Sequence, residues 1–181
     1  DDDAANDDDA ADDDDTAPDD DDTAADDDDT TPQPECTGHS QCQDDEFCRY
    51  QECELIFGRS FELRFVSAST DTTNGNGDTW DAFGGLPDMY GQITVDDVLV
   101  LSTSTVDDAL TANWNVAEDV IITNTSICVL VMNEDAFSDD QMDGSCWNGL
   151  DAVVDVVRSG GVFGDLYYGL VDVEVEVTPN F

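Results

Sequence analysis

The stretch CVLVMNEDAFSDDQMDGSC, residues 128–146, decides how the rest of the chain is read. An apolar β-type run, residues 127–132, delivers the chain to a loop dense in oxygen-bearing side chains, and Gly144 and Cys146 carry it away. Hard divalent cations such as Ca2+ take six to eight oxygens at about 2.3–2.6 Å, and a short Asp-rich loop at a strand end supplies several of them. The same loop also reads as a solvated acidic turn, because short acidic motifs arise readily by chance. A second acidic loop, residues 78–88, reads as its partner.

Working outward, composition narrows the field. The chain has 181 residues, enough for one domain plus extras. Its formal net charge is −42, with 46 acids against four arginines (Arg49, Arg59, Arg64, Arg158) and no lysine. Residues 1–35 hold 18 Asp and one Glu without a base, which leaves 27 acids and four arginines for the part able to fold. Such a field repels phosphates, so nucleic-acid binding is excluded, and anionic membranes are repelled unless a cation bridges the two surfaces. Asp outnumbers Glu by 37 to 9. That bias suits metal loops and turns, where a short side chain loses little rotamer entropy, and it suits a high-salt habitat equally. Six cysteines, four of them within 18 residues, point to disulfides in an oxidising, extracellular compartment. A zinc site would need Cys₄ at unusual gaps, since His39 is the only histidine. No apolar run of membrane-spanning length occurs. The chain begins with Asp1, without Met or a signal peptide, which reads as a mature or trimmed form.

Three segments follow in order. Residues 1–35 repeat a crude unit of Asp runs followed by Ala, Thr or Pro. Low apolarity and unrelieved charge cannot offset the entropy of ordering, so this segment reads as a disordered tail. Fully stretched it reaches roughly 110 Å at about 3.3 Å per residue, which suits a spacer; loose Ca2+ or mineral binding by polyaspartate is the other reading. Residues 36–53, CTGHSQCQDDEFCRYQEC, are too few to bury a core and need cross-links. Four cysteines allow three pairings. Residues 54–181 turn strand-like: residues 61–68, 90–95, 98–103, 120–123, 127–132, 152–157, 166–170 and 171–177 are β-type runs, and no amphipathic helix stands out. About eight short strands with Gly, Asn and Asp turns predict an all-β antiparallel sandwich.

Two resemblances sharpen this reading. Residues 36–53 resemble the short cysteine-rich knots of Dickkopf-like segments and of many secreted bacterial proteins, which by analogy implies Cys36–Cys48 and Cys42–Cys53. Residues 60–178 resemble a C2 domain, a Ca2+-binding Greek-key β-sandwich, in four ordered blocks. The strand 61–68 leads to DAFGGLPDMYGQI, residues 81–93, similar to the family's "D..G.sDPYv.v". TVDDALTANWN, residues 105–115, resembles "T….tlnPvWNe", and residues 129–144 resemble "l.v.v.DeD..s.DD.iG". A closing strand ends near Val177. The resemblance implies metal ligands at Asp81, Asp88, Asn133 and Asp135, with Asp140 or Asp143 as the third Asp of the second loop. It also implies one or two sites suited to millimolar extracellular Ca2+. Four departures stand out: Asn133 replaces an Asp, Met89 replaces the Pro of "DPY", Ala112 replaces the Pro before Trp114, and one residue is inserted before Gly144.

Elsewhere the bland readings hold their ground. Trp114 reads as a packing residue and His39 as a surface residue of the knot. Cys128 and Cys146 bracket the second loop and either pair, worth roughly 3 kcal/mol by loop entropy, or stay as buried thiols. Residues 74–78, NGNGD, fail the D-x-[DN]-x-[DN]-G spacing and read as a turn. Asn124 heads a glycosylation sequon, and the pairs Asp96–Asp97 and Asp107–Asp108 read as solvated turn acids. No nucleophile–base pair, phosphate loop or His set supports an enzyme. Two functional classes remain. One is a secreted or cell-surface Ca2+-binding module that engages an unidentified protein or surface ligand. The other is a structural surface or filament subunit that self-associates as a homo-oligomer without a specific Ca2+ role. Phe83, Leu86, Met89 and Phe137 are the apolar residues by which the loops would contact a Ca2+-bridged bilayer or a partner.

Overall fold

The computed structural model describes residues 35–81, 85–123, 126–135 and 139–181. The expectations for the Asp-rich tail, for Phe83 and Phe137, and for the sequon at Asn124 fall outside those residues. The described chain opens with a hairpin, β1 (Glu46–Arg49) and β2 (Glu52–Leu55). Tyr50 and Gln51 make its two-residue turn at φ 50 and 72, the doubly left-handed geometry whose twist matches flanking antiparallel strands. Cys36–Cys48 and Cys42–Cys53 staple the hairpin to the segment before it.

Eight strands then form two four-stranded antiparallel sheets. β3 (Ser60–Thr70), β6 (Thr111–Ile121), β9 (Gly161–Asp165) and β10 (Val171–Pro179) pair in the order β6-β3-β10-β9. β4 (Met89–Val95), β5 (Val98–Ser102), β7 (Ser126–Asn133) and β8 (Asp140–Asn148) pair as β5-β4-β7-β8. The sandwich expected from the sequence is present, and its strand membership differs in part. β10 alternates as its sequence does, with Val171, Val173, Val175 and Val177 inward. β8 occupies residues read as loop, and β6 runs through residues of which only the end looked strand-like. Residues 166–170 form a turn closed by Gly169 N–H donating to Leu166 O (3.0 Å), and β9 precedes them.

Residues 152–157 are the clearest departure: they lie in a helix, α1 (Leu150–Ser159), and not in a strand. Val153, Val154, Val156 and Val157 are the buried residues, spaced i, i+1, i+3, i+4, which lines one helical face. Four valines suggested a strand through β-propensity, but burial decided by period. Asp151 in the first turn and Arg158 in the last complement the helix dipole. Gly160 stops the helix in the left-handed region at φ 78. Gly161 then passes so close to β10 that an added Cβ would fall 1.8 Å from Val175 O.

The core runs between the sheets and reaches the hairpin. Phe61, Leu63, Phe65, Ile93, Val129 and Val131 are fully buried. Phe47 of β1 joins them, its ring 5.8 Å from Phe61 and 6.1 Å from Phe181. Arg158 donates to Gln43 O at 2.6 Å and to Glu46 O at 2.6 Å and 2.9 Å, tying α1 to the hairpin. Cys128–Cys146 links directly paired positions of β7 and β8. No cysteine is free, so the zinc alternative falls. His39 is half-buried and accepts the Cys48 N–H at Nδ1 (2.9 Å), a structural role. Trp114 packs edge-on to Phe65 at 5.2 Å and donates its indole N–H to Ser104 O.

Candidate functional site

Strand pairing brings the two acidic loops together. β4 and β7 are antiparallel neighbours with Met89 opposite Asn133. The loop entering β4, residues 71–88, and the loop leaving β7, residues 134–139, therefore emerge side by side at one end of the sandwich. Asn133 sits at their junction, 1% exposed. Its Oδ1 accepts the Asp88 N–H at 2.7 Å, and its Nδ2 donates to Asp81 Oδ1 at 3.4 Å and to Asp135 Oδ2 at 3.3 Å. The amide orientation follows from this network, because the flipped form would set its oxygen against two carboxylates. The charge deficit at this position therefore has a use: a neutral donor links two acids that would otherwise repel.

Further groups close around this junction. Glu134 N–H donates to Asp88 O at 2.8 Å, and Asp108 N–H donates to Asp88 Oδ1 at 2.7 Å. Asp108 thus presents its backbone to the site from the connection between β5 and β6. Thr105 donates its hydroxyl to the Glu134 carboxylate. Asp135 N–H donates to Asp139 Oδ1 at 3.4 Å, while Tyr90 O–H donates to Asp139 Oδ2 at 2.7 Å. Burial raises the Asp135 carboxyl above its ordinary range, helped by the charges of Asp81, Asp140, Asp88 and Asp139. The Tyr90 phenol is pushed up to about 12 by burial, by its bond to Asp139 and by the Asp139 and Glu134 charges.

Asp81, Asp88, Asp135 and Asp140 thus belong to one electrostatic neighbourhood. Asp139 belongs to it as well, and the sequence reading passed over it because the family pattern directs attention to the Asp after it. Asn133 is a linker whose oxygen is already committed to a backbone N–H. Asp143 lies elsewhere. It is fully buried, with Oδ1 accepting Gly144 N–H (2.7 Å) and Tyr168 N–H (3.0 Å), and Oδ2 accepting Leu170 N–H (2.9 Å). A register shift at Val131/Met132 turns both Met142 and Asp143 inward. Met89 is likewise not a loop contact: it is fully buried as the first residue of β4 and exchanges backbone hydrogen bonds with Val106. Leu86 is half-buried in the first loop. Asp96, read as solvated, accepts the Ser126 N–H at 3.1 Å and so braces the start of β7.

The donor set fits a hard cation: five carboxylates, a dearth of competing cations, and loops from separate strand pairs. The two salt bridges among the described residues both use Arg64, with Glu62 and Glu176, and touch none of these acids. Among the described residues no three carboxylates converge to within 4.8 Å of one another. Like charges held facing but apart is the arrangement Coulomb repulsion dictates, and a cation would let the loops draw in.

No protein-family model and no curated protein sequence matches the chain. Solved structures do. The chain is similar to the calcium-bound pair of C2 domains of Extended-Synaptotagmin 2, with a TM-score of 0.52 at 14% identity, over 68% of this chain and 46% of that one. A second structure of the same two domains gives 0.53 at 13% identity, over 68% and 42%. A longer structure, in which an SMP domain precedes the two C2 domains, gives 0.53 at 14% identity, over 68% and 27%. The chain therefore spans less than half the length of each of these. At this identity the likeness defines the fold: an eight-stranded C2-like β-sandwich carrying a disulfide-stapled hairpin.

Proposed function

We propose that this protein is a calcium-binding C2-like module that acts outside the cell or at its surface, in binding rather than catalysis. The observation that carries the reading is the Asn133 junction, which bonds Asp88, Asp81 and Asp135 from two loops set side by side by the Met89–Asn133 pairing, with Asp139 held to Asp135. Asp81, Asp88, Asp135, Asp139 and Asp140 would hold the ion. Bound there, Ca2+ supplies positive charge that neutralises the carboxylates and orders the loops. Three disulfides favour an oxidising compartment, and an Asp-rich tail suits a spacer from a surface. No helix among the described residues is long and apolar enough to cross a membrane. Docking on anionic lipid has less support. Met89 is in the core, and Arg49 and Arg59 are stacked on Phe181, beyond the end of β3 remote from the acidic loops.

Thermal unfolding of the full chain in millimolar Ca2+, in matched Mg2+, and in chelator at constant ionic strength tests the proposal. A ligand at 100 times its Kd adds about 2.7 kcal/mol, so the midpoint should rise by several degrees with Ca2+ and not with Mg2+. The double substitution Asp88→Asn, Asp135→Asn should abolish the rise. A double variant that responds to Ca2+ as the parent does would place any binding elsewhere, in the tail first of all.

A further inference from the structure

We propose that the cavity between the loop 71–81, the start of β8 and the turn joining β9 to β10 binds a neutral oligosaccharide. The cavity measures about 660 Å³, the size of a pocket for a small ligand. Trp80 and Tyr168 line it, and so do the polar side chains of Asn74, Asn76, Gln141 and Asp140. A sugar ring has two chemistries, an apolar C–H face and a rim of hydroxyls that both donate and accept. Aromatic faces take the first. Carboxamides, which carry a donor and an acceptor on one planar group, take the second.

Both walls are held before any ligand arrives. Asn74 Oδ1 accepts the N–H groups of Asn76 (2.9 Å) and Asp78 (3.1 Å), which sets the turn and leaves its Nδ2 directed away from that network. Trp80, half-buried and packed against the core, donates its indole N–H to Asp71 O at 2.8 Å, which fixes the ring in the cavity wall. On the other side, the buried Asp143 carboxylate grips the backbone N–H groups of Tyr168 and Leu170. The Tyr167 and Tyr168 rings stand edge to face at 5.0 Å and are 77% and 65% exposed. The walls meet at Gly75, where an added Cβ would fall 3.3 Å from Leu170 Cδ2.

Charge selects among ligands. Among the described residues no Lys or Arg lines the cavity, so an anionic sugar or a phosphate would meet only repulsion. Asp140 is the single carboxylate among the side-chain amides of the lining, a hydrogen-bonding composition more than a cation trap; Asp140 and Asn133 stand where the cavity borders the acidic loops. The inference does not rest on calcium binding, so its test runs in chelator.

The experiment is tryptophan-fluorescence and calorimetric titration of the full chain with neutral hexasaccharides of glucose, mannose and galactose, and with tetramethylammonium as a cationic probe. The expected result is saturable binding of at least one hexasaccharide, weakened about tenfold in Trp80→Ala and in Tyr168→Ala. Tyr50→Ala, an exposed aromatic on the stapled hairpin, should bind as the parent does. The Tyr168 side chain is exposed and its anchoring is through the backbone, so Tyr168→Ala keeps the fold even if Trp80→Ala loosens its loop. Three results would overturn the proposal: no hexasaccharide saturating at about 10 mM, parental affinity in Tyr168→Ala, or tetramethylammonium displacing the sugar.

Discussion

A buried carboxylate held by three backbone donors, with no arginine partner among the described residues, is costly to desolvate, and Asp143 is one. Its two oxygens accept all three bonds, at 2.7, 3.0 and 2.9 Å. They fix the turn after β9 to the interior of β8. Asp143→Ala would strand three N–H groups and should cost about 3 kcal/mol in urea unfolding. Asp143→Asn, which keeps one oxygen, should cost less. If both variants were as stable as the parent, the carboxylate would have no structural role. Nothing in the residue order distinguished Asp143 from Asp139 or Asp140, because all three sit in one acidic stretch. The difference is a one-residue register shift in β8, a property of pairing with β7. Asn133 carries a related lesson: a lost charge at an expected ligand position looked like a weakened site, and the geometry makes it a donor between acids.

At the scale of elements, the sequence exposed what alternates and concealed what does not. β10 was legible because four valines alternate with polar residues, and β3 for the same reason at Phe61, Leu63 and Phe65. β8 was not, since its strand character comes from pairing along β7 and not from its own residues. α1 was misassigned because valine favours strands while the buried spacing is helical. The two acidic loops were legible as a pair through the family resemblance; their side-by-side placement depends on the Met89–Asn133 register, which one sequence does not display. The helix assignment has a direct check. Val153 is fully buried under α1, so Val153→Ala should cost about 2 kcal/mol in chemical unfolding. Asp155→Ala, on the exposed face, should leave stability nearly unchanged or raise it slightly, because alanine is the better helix former. In a strand Val153 and Asp155 would share one face, so burial would not separate the two substitutions.

For the molecule as a whole, charge opposes folding. Asp172 faces Asp165 across β9 and β10, and the Asp165 charge, their mutual hydrogen bond, burial and the nearby Asp71 together raise the Asp172 carboxyl. A raised carboxyl stabilises the fold in full below its unfolded value of 3.8 and loses that contribution as pH climbs through the raised one. The melting temperature in chelator should therefore rise as pH is lowered from neutral towards 4, and Asp172→Asn should flatten part of that slope. An unchanged slope in the variant would assign the effect to diffuse repulsion alone. The stapled hairpin has a mechanical consequence of its own. Ser60, where β3 starts, lies beside the end of β10 through the Asn180–Ser60 hydrogen bond. The acidic loops lie beyond the far end of β3. A pull entering at Cys36 and resisted at those loops would run lengthwise along β3, a central strand bonded on both sides. Its ladders would be loaded in shear, all bonds sharing the force, and not peeled one at a time. If it is held by one end and grips by the other, as the proposed function has it, this sandwich bears the load in tension.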